Sequence, residues 1–341
     1  MTELLRNHTT FRVGGPARRF VEATGEQQLI DLVADCDSRG EPALILGGGS
    51  NVLVSDDGFD GTVVKVATRG ITVEQEACYG AQVQVAAGES WDDLVARACA
   101  EEWSGLEALS GVPGSVGATP IQNVGAYGFE VADAIQQVRT WDRVDQTVRT
   151  FPVADCDFAY RTSRFKREPG RYLVLRVDFQ LPLGDQSQPI RYPELARELG
   201  VEVGRRAPAV HVRETVLGIR RRKGMVLDEK DHDTWSAGSF FTNPILTDEQ
   251  AAALPGEAPR YQAEGGIKTS AAWLIQHSGF NPGYGQGAAR LSTRHVLALT
   301  NRGMATTADV VALAREIRSG VEERFGIVLV PEVNLIGVEI P

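Results

Sequence analysis

Cysteine is scarce in this sequence: Cys36, Cys78, Cys99 and Cys156 are the only four, and they stand far apart. No Cys-x-x-Cys pair or Cys/His cluster occurs, so zinc and iron–sulfur ligation lose their usual ligand spacing, and isolated thiols suit a reducing compartment. Long apolar runs are missing as well. None approaches the ~20 residues needed to cross a bilayer, and the first residues lack the basic-then-apolar pattern of a secretory signal. The expectation is a soluble, cytoplasmic protein with neither a metal site nor a membrane partner. Positive charge is in deficit, with 35 Lys and Arg against 45 Asp and Glu and a formal net charge of -10. That balance argues against a general nucleic-acid binder, but it does not speak against a local basic pocket for a small anion. Internal repeats and low-complexity tracts are also absent.

What remains is an ordinary globular composition, 43% hydrophobic and 23% charged over 341 residues. A prior of ~150 residues per domain then suggests two or three domains. Glycine is unevenly spread. From Leu109 onward, Gly111, Gly114, Gly117, Gly125 and Gly128 are interleaved with Pro113 and Pro120, which rules out a helix or strand interior. An ordered loop fits better. Its glycines let backbone N–H groups approach a ligand, and Ser110, Ser115, Thr119, Gln122 and Asn123 add short polar groups, a combination suited to a pyrophosphate. No Lys-Ser/Thr pair follows these glycines, so this is not a Walker loop, and a Gly/Pro-rich surface turn is the plainer alternative. A second cluster, Gly47-Gly48-Gly49-Ser50-Asn51, lies between two short apolar runs that read as strands, residues 43–46 and 52–54. No helix follows it, so it is not the dinucleotide-binding fingerprint.

Periodicity predicts helices over residues 26–37, from the cap Ser90 to about 101, over 209–222, 270–278 and 307–325, and after residue 195. Strands are predicted at 62–66, 82–85, 138–149, 150–153, 172–181 and 296–300, and in the tail 327–340. Residues 7–16 read as an N-terminal arm. Local sequence leaves several polar residues open. Ser239 is not in a Gly-x-Ser-x-Gly elbow and reads as a structural hydroxyl in a tight turn. Glu332 is either a strand-end carboxylate facing water or a buried, paired one. Arg161 sits in a basic run beside Tyr160, where solvation is the default, and Lys223 ends the basic run that starts at Arg220, a helix end favoured by its own dipole. His277 and His295 receive no catalytic role.

Six stretches occur in order: Asn7-His8-Thr9-Thr10-Phe11-Arg12-Val13-Gly14-Gly15, residues 46–54, residues 111–128, Tyr160-Arg161-Thr162-Ser163-Arg164-Phe165-Lys166, Ala237-Gly238-Ser239-Phe240-Phe241-Thr242-Asn243-Pro244, and Pro331-Glu332-Val333. Together they resemble the UDP-N-acetylenolpyruvoylglucosamine reductase (MurB) family of bacterial wall synthesis, over about residues 7–337. The resemblance implies an α+β flavoprotein of three domains: a two-part FAD-binding half of the vanillyl-alcohol-oxidase type, residues 1–68 and 69–210, and a C-terminal α+β substrate domain, residues 211–326. A strand in residues 327–341 would return to the active site. It implies NADPH-dependent reduction of UDP-N-acetylglucosamine enolpyruvate to UDP-N-acetylmuramate through FAD, serving peptidoglycan synthesis, cell shape and division. FAD should be noncovalent, since no His or Cys matches the covalent attachment sites of related flavoproteins.

By the same resemblance, Ser239 is the proton donor, with Arg161 and Glu332 acting at the enolpyruvyl group. FAD contacts fall on Gly47, Gly48, Gly49, Ser50, Asn51, Gly111, Val112, Gly114, Ser115, Gly117, Ala118, Thr119, Gln122, Asn123 and Val124. Substrate contacts fall on Tyr160, Tyr192, Lys223 and Asn243, with Tyr192 on a loop that closes over the nucleotide sugar. The loop 280–287 departs from the usual family loop. A monomer is expected. The rival readings are an FAD-dependent oxidase of the same fold and a noncatalytic nucleotide-sugar-binding protein.

Overall fold

The computed structural model describes residues 3–341. Two compact units share the chain: the larger comprises Arg18–Gly48 and Asp60–Arg221, the smaller residues 3–17, Gly49–Phe59 and Arg222–Pro341. The division therefore falls inside the triple glycine, between Gly48 and Gly49.

The larger unit is organised on a five-stranded antiparallel sheet in the order Thr147–Pro152, Ile135–Asp142, Tyr172–Leu181, Gly80–Ala86, Ile71–Glu76. Alternation in Gly80–Ala86 sends Ala81, Val83 and Val85 inward and leaves Gln82 and Gln84 half-buried, as a strand with one core face requires. That face packs with the helix Trp91–Ala100, whose Trp91, Leu94, Val95 and Ala98 are buried in the same cluster. Burial of each apolar side chain of the size of Leu94 or Phe179 contributes roughly 1.5–3 kcal/mol. The helix begins where the sequence says it should: the Ser90 hydroxyl accepts the Asp93 N–H. Parallel pairing of Ala43–Leu46 with Phe59–Val66 makes a second, three-stranded sheet with Ala17–Ala23, and the helix Glu26–Ser38 adds Leu29, Ile30 and Val33 to the same core.

The smaller unit is built on the helix Thr307–Phe325. A capping box of Thr306 and Asp309 starts it, and Gly326 at φ +65° stops it. Val310, Ala314 and Ile317 on one face of this helix share a core with Phe240, Phe241, Leu274, Ile275 and Leu329. Near the C-terminus, Asn334–Ile336 pairs in parallel with Val52–Val54, so the tail lies beside the strand that leaves the triple glycine.

Three strand expectations need correction. Residues 138–149 form not one strand but the end of Ile135–Asp142, a turn, and the start of Thr147–Pro152. The Asp142 carboxylate holds that turn by accepting the Val144 and Asp145 N–H groups, and Gln146 takes φ +50°. Expected at 296–300, the next strand is Leu299–Asn301, because the preceding residues close a turn in which Ser292 N–H reaches the Ala298 carbonyl. In the tail, only Asn334–Ile336 is strand; Pro331 has no N–H to donate and Gly337 turns at φ +67°.

Candidate active site

In the larger unit the two glycine stretches meet backbone to backbone. A Cβ on Gly48 would lie 2.5 Å from Gly114 Cα, one on Gly47 2.5 Å from the Ser115 hydroxyl oxygen, and one on Gly117 2.5 Å from Ala87 Cβ. These glycines are thus required by loop-on-loop packing, a role that density of glycine alone does not reveal. Main-chain bonds fasten the long loop alongside the helix start: Trp91 N–H to Gly114 C=O at 3.1 Å, Val116 N–H to Glu89 C=O at 2.9 Å, Gly117 N–H to Ala87 C=O at 2.8 Å. The buried Trp91 indole N–H donates to the Leu109 carbonyl (3.1 Å), and Lys65 Nζ donates to the Gly47 carbonyl.

Among the described residues, the N–H groups of Gly48, Gly114 and Ser115 have no acceptor. Gly48 and Gly114 are half-buried and carry no side chain of their own. Unclaimed donors on bare backbone are the chemistry that a diphosphate needs, so these residues fit the pyrophosphate of a dinucleotide. Val112, Ala118, Gln122 and Val124 are half-buried along the same loop. Gly111 gives its N–H to Asp92 at 2.6 Å, and Thr119 donates its hydroxyl to the Val116 carbonyl. Asn123, at φ +47° and almost fully buried, spends its side chain on Glu130, the Ala159 carbonyl and the Ala132 N–H. Its side chain braces the loop.

Asp92 ties that loop to the helix Ala209–Arg222: Arg213 holds its carboxylate with two bonds, 2.6 and 2.9 Å. Burial alone would raise the Asp92 pKa. The Arg213 and Gly111 bonds outweigh it and leave the carboxyl below its ordinary value. Seven residues on, Arg220 is buried, with Gly111 packed against its guanidinium stem and against Leu217. Burial lowers its pKa, while the Tyr127 phenol, itself raised by burial, partly offsets this. The sequence reading passed over Arg220, and its signal was available: the interval of seven puts it on the helix face of Arg213, beside Val216.

Arg161 is also in the larger unit. It is half-buried at φ +54°, donates from Nη2 to the Gly125 carbonyl (3.0 Å), and sits 5.7 Å from the Tyr160 ring centroid. Its own carbonyl accepts Lys166 Nζ at 3.0 Å, so Arg161 is a placed guanidinium rather than one charge of a solvated run. Tyr192 is exposed, packed edge-on against Tyr127 at 5.6 Å, at the start of the helix Pro193–Leu199.

The smaller unit brings Ser239, Glu332 and Asn51 to one place. Glu332 N–H donates to the Phe240 carbonyl (2.8 Å), and the Glu332 carbonyl accepts Asn51 Nδ2 (3.4 Å). Phe240 N–H in turn reaches the Leu297 carbonyl, and Asn334 bonds the Asn51 carbonyl from both its backbone and its side chain. Ser239 and Glu332 are both half-buried. Preceding Ser239, Gly238 takes φ +75° and donates to the Ser236 hydroxyl (3.2 Å). Gly49, at φ +64°, is pressed so close to the His8 carbonyl that a Cβ would lie 1.8 Å from it. Lys223 is half-buried, and the Asn243 side-chain oxygen accepts the Ala271 N–H (2.9 Å), which fixes the start of the helix Ala271–His277. No group of three or more His, Cys, Asp or Glu able to hold a metal occurs among the described residues.

Residues 17–151 match the family model for an FAD binding domain, and residues 229–336 match the C-terminal domain of UDP-N-acetylenolpyruvoylglucosamine reductase. The glycine cradle lies within the first match, and Ser239 and Glu332 within the second; the class so defined is a flavin-dependent oxidoreductase. The chain is 59% identical to the UDP-N-acetylenolpyruvoylglucosamine reductase of Cutibacterium acnes over 97% of its own length and 89% of the relative's. With the enzyme of that name from Streptomyces coelicolor the identity is 54%, over 97% and 88% of the two chains. The crystal structure of UDP-N-acetylenolpyruvylglucosamine reductase (MurB) from Thermus caldophilus superposes with a TM-score of 0.68 at 26% identity, covering 98% of both chains. This chain belongs to the UDP-N-acetylenolpyruvoylglucosamine reductase family.

Proposed function

We propose that the chain, as a cytoplasmic monomer, reduces UDP-N-acetylglucosamine enolpyruvate to UDP-N-acetylmuramate in peptidoglycan synthesis, with NADPH as the reductant. The reading rests on one observation above the others: in one unit, the Glu332 N–H bonds the Phe240 carbonyl next to Ser239, and the Asn51 side-chain amide bonds the Glu332 carbonyl. No helix among the described residues is long and apolar enough to cross a membrane. Noncovalent FAD would be held along Gly47, Gly48, Gly49, Ser50 and Asn51 and along residues 111–124. When bound, it supplies the two-electron hydride chemistry that no side chain here can provide. Residues 1–68 and 69–210 then serve the cofactor and 211–326 the substrate, with the tail 327–341 carrying Glu332.

The protein's own contribution is position, charge and a proton. Reduction of the enolpyruvyl double bond places hydride on the terminal carbon and a proton on the adjacent one. Ser239 gives that proton, and solvent replaces it. A serine hydroxyl is a weak acid, so it serves only where negative charge develops on the substrate and where its own position is fixed. Arg161 pairs with the substrate carboxylate and draws charge toward it. Glu332 orients the enolpyruvyl group, while Tyr160, Tyr192, Lys223 and Asn243 bind the nucleotide sugar and its phosphates. The test is anaerobic: NADPH should bleach the yellow protein, and the enolpyruvyl nucleotide should restore the colour with UDP-N-acetylmuramate formed. A protein that bleaches but regains colour only with oxygen would be an oxidase instead, and one that purifies colourless and takes up no FAD would contradict the reading outright.

A further inference from the structure

Thr10 belongs to the N-terminal arm, none of whose individual residues is assigned a cofactor or substrate contact above, yet it is buried. One residue there addresses two segments. Its backbone N–H donates to the Gly49 carbonyl at 3.0 Å, and its hydroxyl donates to the Ser236 carbonyl at 2.6 Å across 226 residues of sequence. Gly49 opens the Ser50–Asn51 turn. Ser236 organises the turn before Ser239, since its hydroxyl accepts the Gly238 N–H.

The two sides of Ser239 are held differently. On the C-terminal side, Phe240 is fixed by its N–H to Leu297 and its carbonyl to Glu332. On the N-terminal side, the chain runs through Gly238 at φ +75°, a residue with wide conformational freedom. Its position depends on what grips Trp235 and Ser236. Asn301 N–H takes the Trp235 carbonyl, and the Thr10 hydroxyl takes the next one. The arm does not need that hydroxyl for its own shape: Arg12 N–H bonds the Thr9 carbonyl, and the Thr9 hydroxyl bonds the Val13 carbonyl.

We propose that Thr10 is a positioning residue whose hydroxyl locks the Ser239 segment to the Gly49–Asn51 turn, so that the proton donor is held in register with the cofactor-binding turn. The proposal rests on Ser239 as proton donor. Thr10→Val keeps the branched shape and the N–H to Gly49 while removing only the hydroxyl, whereas Thr10→Ser keeps the hydroxyl. In Thr10→Val, FAD content and the rate of NADPH bleaching should stay at the wild-type level. Recolouring by the enolpyruvyl nucleotide should slow by roughly tenfold, a misplacement effect smaller than complete loss of an acid. Amide hydrogen exchange in residues 237–239 of the FAD-free protein should accelerate, and Thr10→Ser should restore both readouts. Where Thr10→Val does not fold, Thr10→Ala serves with the same expectation.

The role is overturned by wild-type recolouring in Thr10→Val, by equal slowing of both half-reactions, or by failure of Thr10→Ser to rescue. Ser239→Ala measured alongside separates the two levels. Slow recolouring there with normal recolouring in Thr10→Val rejects Thr10 alone, and normal recolouring in Ser239→Ala rejects the proton-donor reading itself.

Discussion

Arg161 is held in a backbone conformation that non-glycine residues seldom adopt, φ +54°, with its guanidinium against the Gly125 carbonyl and the Tyr160 ring. Such a placement costs conformational energy and is expected where a side chain must point one way. Lysine would preserve the charge. It has no planar fork, however, and cannot keep the Gly125 bond while contacting a carboxylate at two points. Arg161→Lys should therefore lower kcat/KM on the order of 10²-fold with FAD content unchanged, as steady-state kinetics and the flavin spectrum will show. Near-normal kcat/KM would remove Arg161 from the proposed pairing with the substrate carboxylate. Gly48 makes the opposite kind of demand. Because a Cβ there would meet Gly114 Cα at 2.5 Å, Gly48→Val should push the two glycine stretches apart, at a cost of ~1–3 kcal/mol in overpacking. FAD content of the purified protein should fall, and the FAD-free protein should melt earlier. The second readout assigns the effect to packing rather than to ligand contact alone.

Among the elements, the helix Ala209–Arg222 holds the long glycine loop through Asp92. Asp92 is lowered in the folded state by Arg213 and Gly111 against the opposing pull of burial, so its stabilisation is complete above the ordinary carboxylate range and disappears as pH falls through the depressed value. Replacing it with Asn should cost ~1–2 kcal/mol at neutral pH, the value for bonds to a charged group discounted for partial exposure. The melting-temperature gap between wild type and Asp92→Asn should then be widest near about pH 7 and should narrow as pH falls through and below the ordinary Asp range, about pH 4. A gap independent of pH would remove Asp92 ionisation from the account. Elements set by local chemistry were legible in sequence: Ser90 as a cap, Gly326 as a stop, and the two glycine stretches as loops. Those set by distant partners were not. The turn after Asp142 carries no Asn-Gly or Asp-Gly signal, and Arg171, far along the chain, grips the same carboxylate. Arg220 stands among three adjacent arginines, and only its interval of seven from Arg213, on the side of Val216, sets it apart as the buried one. In the site, the family resemblance pointed to Ser239 and Glu332, but the Glu332 N–H bond to the Phe240 carbonyl that joins their segments, the Asn51 bond to Glu332 and the Thr10 bond to Ser236 are tertiary facts.

At the scale of the whole molecule, the proposed roles are divided: Tyr160, Arg161 and Tyr192 belong to the larger unit, and Lys223, Ser239, Asn243 and Glu332 to the smaller. The reaction is divided as well, since the proton enters only when the enolpyruvyl carbon is reduced. Ser239→Ala therefore tests the central claim most directly, by stopped-flow absorbance with each half-reaction followed alone. The account predicts NADPH bleaching at the wild-type rate and recolouring by UDP-N-acetylglucosamine enolpyruvate slowed ~10²–10⁴-fold, the loss of a positioned acid, about 3–5 kcal/mol of barrier. Equal slowing of both half-reactions, or recolouring at the wild-type rate, would contradict it.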